Sequence, residues 1–226
     1  MRWLLVPAVV LVLAGCGTDA PALPDGLVLQ AKQLVGMPSP RPAELPEFSL
    51  YGDGTVIRPG PAAGALQTAE TVSIGHDRAT DFYERAHDAG LDRDQEIRND
   101  SVVDGYTQVF VLSSRGRRFV TKAANPEGEL ADFHKTLHVD GTATPYQPTR
   151  IAAVGWAPDS TQDARPWPFA PLAERVDAGS CVTLDAAEVA QFARDVPKGT
   201  RFRSGGTTFV VVFRPLLPGE SGCGDV

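Results

Sequence analysis

Apolar and polar residues alternate with a period of two over much of this chain, and three stretches switch to the 3.6-residue rhythm of a helix. Leu27, Leu29 and Ala31 alternate with Val28, Gln30 and Lys32. This favours a strand over residues 27–35, although no helix breaker interrupts it. Phe48-Ser49-Leu50-Tyr51 and Thr55-Val56-Ile57 flank Asp53-Gly54, a pair that tolerates the positive φ angles of a tight hairpin turn. Further strands are expected at 69–74, 151–156 and 181–184. Two more hairpins are expected: 106–112 with 118–123 around Ser114-Arg115-Gly116, and 201–203 with 207–213 around Gly205-Gly206.

The helical stretches carry their own punctuation. Asp77 stands where a cap would open a helix to Ala89, with Phe82, Ala86 and Ala89 on one side and Gly90-Leu91 fitting a left-handed C-cap. Leu130, Phe133 and Leu137 form a stripe over 127–139. Asp185 with Glu188 resembles a capping box, Leu184 can staple onto Val189, and Val189, Phe192, Ala193 and Val196 form the buried stripe that Pro197 ends. These elements predict an α+β fold of antiparallel sheets with packed helices. Thr144-Pro145-Tyr146-Gln147-Pro148 marks an internal boundary, dividing an N-terminal subdomain (27–145) from a C-terminal one (146–226). Strand pairs surround a helix on both sides of it, so the two halves read as related ββαββ-like units.

The start of the chain changes the picture. Arg2 precedes an apolar run from Leu4 to Leu13, too short for a membrane span, and small residues follow. That is the build of a secretory signal. Leu13-Ala14-Gly15-Cys16 resembles the lipobox of bacterial lipoproteins. The resemblance implies a signal peptide at 1–15, cleavage before Cys16, a diacylglyceryl thioether on Cys16, and an address on the extracytoplasmic face of the cell membrane. Residues 16–26, with Pro21 and Pro24, read as a short tether. Pro38, Pro40 and Pro42 predict an extended loop at 37–42.

The chain of 226 residues has a formal charge of −7; losing residues 1–15 removes Arg2 and leaves −8. Such a chain is a poor nucleic-acid binder, since neutralising phosphates drives that affinity, and it is no polybasic membrane binder, so the lipid on Cys16 must hold it. Of the three cysteines, the lipid takes one. In an oxidising compartment the even remainder, Cys181 and Cys223, reads as a disulfide. The alternative is two buried thiols.

Two longer motifs carry a family resemblance. Leu45-Pro46-Glu47-Phe48 running into Leu50-Tyr51-Gly52-Asp53-Gly54, and Arg214-Pro215-Leu216-Leu217-Pro218-Gly219-Glu220 followed by Cys223, resemble a family of uncharacterised actinobacterial lipoproteins and secreted proteins. Trp167-Pro168 and Cys181 fall in the expected order between them. The resemblance covers most of the mature chain and implies no assigned activity. This chain departs from it at Phe202, where the family tends to carry Trp, and at Leu34-Val35-Gly36-Met37, which lacks Gly-Gly-Phe.

Candidate chemistry is sparse. His134 and His138 are four apart on an expected helix, but Lys135 stands where a zincin needs Glu. Asp92, Asp94, Glu96 and Asp100 alternate loosely, yet Ile97 stands where a calcium loop needs Gly. No Gly-x-Ser-x-Gly elbow and no phosphate loop occur. Trp156, Trp167 and Phe169 lie among prolines and serve either to bind sugars or peptides or to pin loops. Arg115, Arg117 and Arg118 make a basic turn that is either solvated or set on lipid headgroups. No catalytic, metal or cofactor-binding residue is expected. The reading is a lipid-anchored, non-enzymatic envelope module that binds an envelope protein or small ligand and no nucleic acid. An envelope hydrolase with a dispersed site is the alternative.

Overall fold

Among the described residues, fourteen strands form two sheets, each with its helices on one face. The computed structural model describes residues 22–35, 44–99, 105–157, 163–176 and 179–226. The expected signal peptide at 1–15, Cys16, the first part of the expected tether and the proline-rich 37–42 lie outside the described residues, as does Asp100. Among the described residues, no helix is long and apolar enough to cross a membrane.

The first sheet takes β1 (Leu27–Val35), β2 (Phe48–Tyr51), β3 (Thr55–Pro59), β4 (Ala69–Ser73), β5 (Gln95–Ile97), β6 (Tyr106–Ser114), β7 (Arg117–Ala124) and β8 (Thr144–Pro145). Their order is β5-β7-β6-β1-β2-β3-β4-β8, and only β5 against β7 is parallel. Helices α1 (His76–Asp88) and α2 (Gly128–Lys135) share a core with one face of it, closed by Leu29, Leu50, Phe82, Phe110, Leu112 and Phe133. The expected Asp77 cap is not made: Gly75 is the N-cap, and Asp77 sits in the first turn. The other end follows the expectation. Leu91 N donates to Ala86 O and Gly90 N to His87 O, a Schellman closure with Leu91 buried beneath it. Helix α2 is shorter than its periodicity predicts. It ends at Lys135 because the chain turns to bury Val139, whose carbonyl accepts from Arg58.

The second sheet takes β9 (Arg150–Trp156), β10 (Arg165–Pro166), β11 (Glu174–Val176), β12 (Gly179–Asp185), β13 (Arg201–Ser204) and β14 (Thr207–Pro215), in the order β10-β13-β14-β9-β12-β11. Helix α3 (Ala186–Asp195) covers one face, and Asp185 caps it by accepting from Ala187 N. Trp167 and Phe169 pin their loop over the same core. The Trp167 ring lies 5.3 Å from those of Phe169 and Phe202, and its Nε1 donates to Ala170 O. On the opposite face, Cys181 in β12 is bonded to Cys223 in the tail.

The hairpins follow their turn residues. Gly205 and Gly206 both have positive φ and join Ser204 to Thr207, as a two-residue turn requires. Of Gly52, Asp53 and Gly54, only Gly54 is left-handed, at φ 77°, so β2 and β3 are joined by a three-residue turn with Gly54 at its closing position. The two halves are not one unit repeated. In the first sheet the earlier strand of the β6–β7 hairpin, β6, lies beside the central β1; in the second the later strand of the β13–β14 hairpin, β14, lies beside β9.

Two segments cross between the sheets. After β3 the chain leaves its own sheet, and residues 63–67 run along the edge of β14. Gln67 N donates to Phe213 O, and Phe213 N to Ala65 O. This strap also docks on the end of α3, through Ala65 N to the carbonyls of Ala193 and Val196. Gly64, at φ 62°, makes the approach feasible: a Cβ there would overlap the carbonyl oxygens of Arg194 and Val196. Gly64→Ala is therefore expected to lower stability by about 3 kcal/mol, combining left-handed strain with overpacking. A urea denaturation midpoint equal to that of the parent would contradict this docking.

The second crossing runs the other way. Leu217 packs against Leu45, Tyr51, Ile57 and Ala69 of the first sheet. Tyr146 Oη donates to Leu216 O at 2.9 Å.

Candidate functional site

The strap, the tail of β14 and the segment leading into β2 enclose a cleft of about 510 Å³ between the sheets. Its walls are apolar: Leu45, Leu66, Trp156, Val210 and Val212 line it, with Pro59 and Ala62 at one side. The local sequence accounts for this. Strand β14 reads Thr207-Thr208-Phe209-Val210-Val211-Val212-Phe213, apolar on both faces. The face carrying Val210 and Val212 pairs across to Trp156 and Val154 of β9. Short β13 covers β14 only as far as Val210, so the rest of that edge is left to the strap.

Polar groups stand at the rim. Glu44, Glu47 and Lys198 line the cleft with the apolar set. Glu47 Oε2 lies 2.9 Å from His134 Nε2 of α2, and Leu45 N donates to Gln67 Oε1 of the strap. Both bonds fix the 44–47 segment against its neighbours. A cleft of this size, mostly apolar with a few placed polar groups, has the build of a small-ligand or side-chain seat.

Beside the cleft, a buried ion pair holds the tail of the second sheet, whose Leu217 reaches the first. Arg214 of β14 is 2% exposed, and its two terminal nitrogens meet the carboxylate of Glu220 at 2.7 and 2.8 Å. Glu220 Oε2 also accepts from Leu217 N. Lys32 of β1 stands close to this pair. Burial, and after it the charge of Arg214, hold the Lys32 ammonium below its ordinary pKa, while Glu44 and Glu220 oppose them. A lysine whose folded pKa is lowered is destabilising while it is charged. That penalty is full below the folded pKa and vanishes above the unfolded one. Lys32→Met is thus expected to raise the urea midpoint at pH 7, with the gain shrinking as the pH rises toward about 10.4 and gone above it. A gain that grew with pH would contradict the assignment. The Tyr51 hydroxyl near Glu220 is also pushed up by burial, so it stays protonated at any ordinary pH.

One arrangement has the layout of a hydrolase triad. Ser114 Oγ lies 3.1 Å from His87 Nε2, and His87 Nδ1 lies 3.7 Å from Asp92 Oδ2. Its surroundings give it another role. Ser114 is 1% exposed and accepts from the hydroxyl of wholly buried Tyr83 at 2.8 Å. A nucleophile must be reachable by its substrate; this hydroxyl instead satisfies a tyrosine inside the core.

The other expected candidates do not converge. His134 and His138 share no helical face, since α2 ends between them; His134 meets Glu47 and His138 meets Asp140. Asp94 accepts from Val120 N, and Glu96 pairs with Arg98. Among the described residues no group of three or more His, Cys, Asp or Glu could hold a metal ion. The strap and the Arg214 pair were not anticipated from the sequence. The available signal for the pair was a lone arginine inside an apolar run, six residues before a glutamate. Comparison with protein-family models, curated proteins and solved structures finds no match.

Proposed function

We propose that this chain is a lipid-anchored, extracytoplasmic binding module whose ligand seat is the apolar cleft between its sheets. The cleft is the observation that carries the reading: about 510 Å³ with walls from Leu45, Leu66, Trp156, Val210 and Val212. The ligand it suits is a small molecule or protein side chain with an apolar body. Glu44, Glu47 and Lys198 supply polar contacts at the edge. The anchor rests on Leu13-Ala14-Gly15-Cys16 after a short apolar run. An envelope hydrolase is the competing reading, favoured by the spacing of Ser114, His87 and Asp92 and opposed by the burial of Ser114.

Binding of the neutral probe N-phenylnaphthylamine tests the seat. Val210 is half-buried on the cleft wall. Val210→Gln is expected to weaken probe binding about tenfold, the usual worth of fitting an apolar group, at an unchanged denaturation midpoint. Equal affinity of the variant would remove the cleft as the seat.

A further inference from the structure

The turn between β6 and β7 places three arginines at the end of the molecule from which the chain departs toward Cys16. Arg115, Arg117 and Arg118 are all exposed. Strand β1 pairs antiparallel with β6, Leu29 facing Leu112, which sets Gly26 and Leu27 beside the turn. Gly26, Leu27, Arg118 and Gly224 line one cavity, and Gly26 O accepts from Gly52 N of the adjacent turn. Between Cys16 and Ala22, the first described residue, the chain can span roughly 20 Å at most. An anchor at Cys16 therefore holds this end against the bilayer.

We infer that the Arg115-Gly116-Arg117-Arg118 turn is the membrane-contacting site and seats on anionic phospholipid headgroups. The inference rests on the lipid-anchor reading. Guanidinium groups suit it, since their planar fork meets phosphate oxygens in pairs. Two of the three have a nearby carboxylate: Arg117 is 4.0 Å from Asp94, and Arg118 acts on Asp225. Both carboxylates already accept backbone bonds, Asp94 from Val120 N and Asp225 from Ser221 N and Gly222 N. Arg115 makes no ion pair among the described residues. It also holds φ at 51°, at a position where Asn, Asp or Gly would fit without that cost.

The register gives this site a consequence for the cleft. Thr55 of β3 lies at the arginine end, beside the Gly54 turn, while Pro59 and Gly60 line the cleft. About 17 Å of strand separates Thr55 from Gly60. With the turn on the headgroups, the cleft lies at the far end of β3 from the bilayer, within reach of ligands from the aqueous side.

The test uses the full lipidated chain in vesicles of phosphatidylcholine alone or with phosphatidylglycerol. Arginines are modified with phenylglyoxal and read residue by residue by mass spectrometry. Arg115 and Arg117 are expected to react about fivefold more slowly on the anionic vesicles, the worth of one basic side chain at such a surface. The difference should disappear in 1 M salt. Arg203, exposed on β13 of the other sheet, should react equally on both. Equal rates at Arg115 and Arg117, or equal slowing of Arg203, would overturn the inference while leaving the anchor intact. An intact mass showing bare Cys16 in the membrane fraction would instead overturn the anchor reading, and this inference with it.

Discussion

Arg214→Ala is expected to cost 3–5 kcal/mol, the range found when one partner of a buried ion pair is removed. The substitution strands the Glu220 carboxylate beneath the tail, where it still accepts from Leu217 N. The loss should therefore reach beyond β14. Leu217 packs on Leu45, Tyr51, Ile57 and Ala69, so freeing the tail uncovers apolar surface on the first sheet. Removing both charges, as Arg214→Met with Glu220→Gln, should recover much of the loss, because Gln can still accept from Leu217 N while neither position leaves an unpaired charge. Urea denaturation of Arg214→Met, of Glu220→Gln and of the two together gives the coupling directly. Additive losses would show that the two charges do not hold the tail as a pair.

Cys181→Ala with Cys223→Ala is expected to cost about 4 kcal/mol at most, from the chain-entropy model. The bond spans 42 residues and encloses α3, β13 and β14. Its local effect should be sharper. The tail after Pro215 has only the short turn Cys223–Asp225 for regular structure. Its other holds on the body include Arg214 with Glu220, Leu216 N to Arg150 O, Tyr146 Oη to Leu216 O, Arg150 to Ser221 O and the packing of Leu217. Without the disulfide, hydrogen exchange should quicken first over 216–226, and the β9–β14 ladder should follow only near global unfolding. Uniform exchange across both would mean that the tail and sheet unfold as one. Alkylation of the parent under denaturing, non-reducing conditions should label neither cysteine.

The hairpins were legible because their turns carry residues that few other conformations need. Asp53-Gly54, Arg115-Gly116 and Gly205-Gly206 all mark turns in the structure, and the φ values at Gly54, Gly116, Gly205 and Gly206 are positive. Helix α3 was legible for the same reason, with Asp185 at its start and Pro197 just past its end. Helix α2 was overextended because its stripe continues through Leu137, while burial of Val139 in the core outweighs the helical ladder. Strand β5 carries no apolar alternation, and its Ile97 is 40% exposed, so no pattern announces it. Residues 60–67 carry no strand or helix period, since Gly, Pro and Ala dominate them, and they find their partner only in the edge of β14. The cleft inherits that difficulty, since it is built where the strap and β14 meet, and neither segment alone signals a cavity.

Photolabelling tests the cleft most directly. An apolar alkyl probe bearing a diazirine is bound to the mature chain, irradiated, and mapped by peptide mass spectrometry. Labels are expected on the cleft walls, at Leu66, Trp156 and Val210 to Val212, with their loss when excess unlabelled probe is present. Labels spread over outer surfaces such as Leu34 and Ile97, with none on those walls, would contradict it.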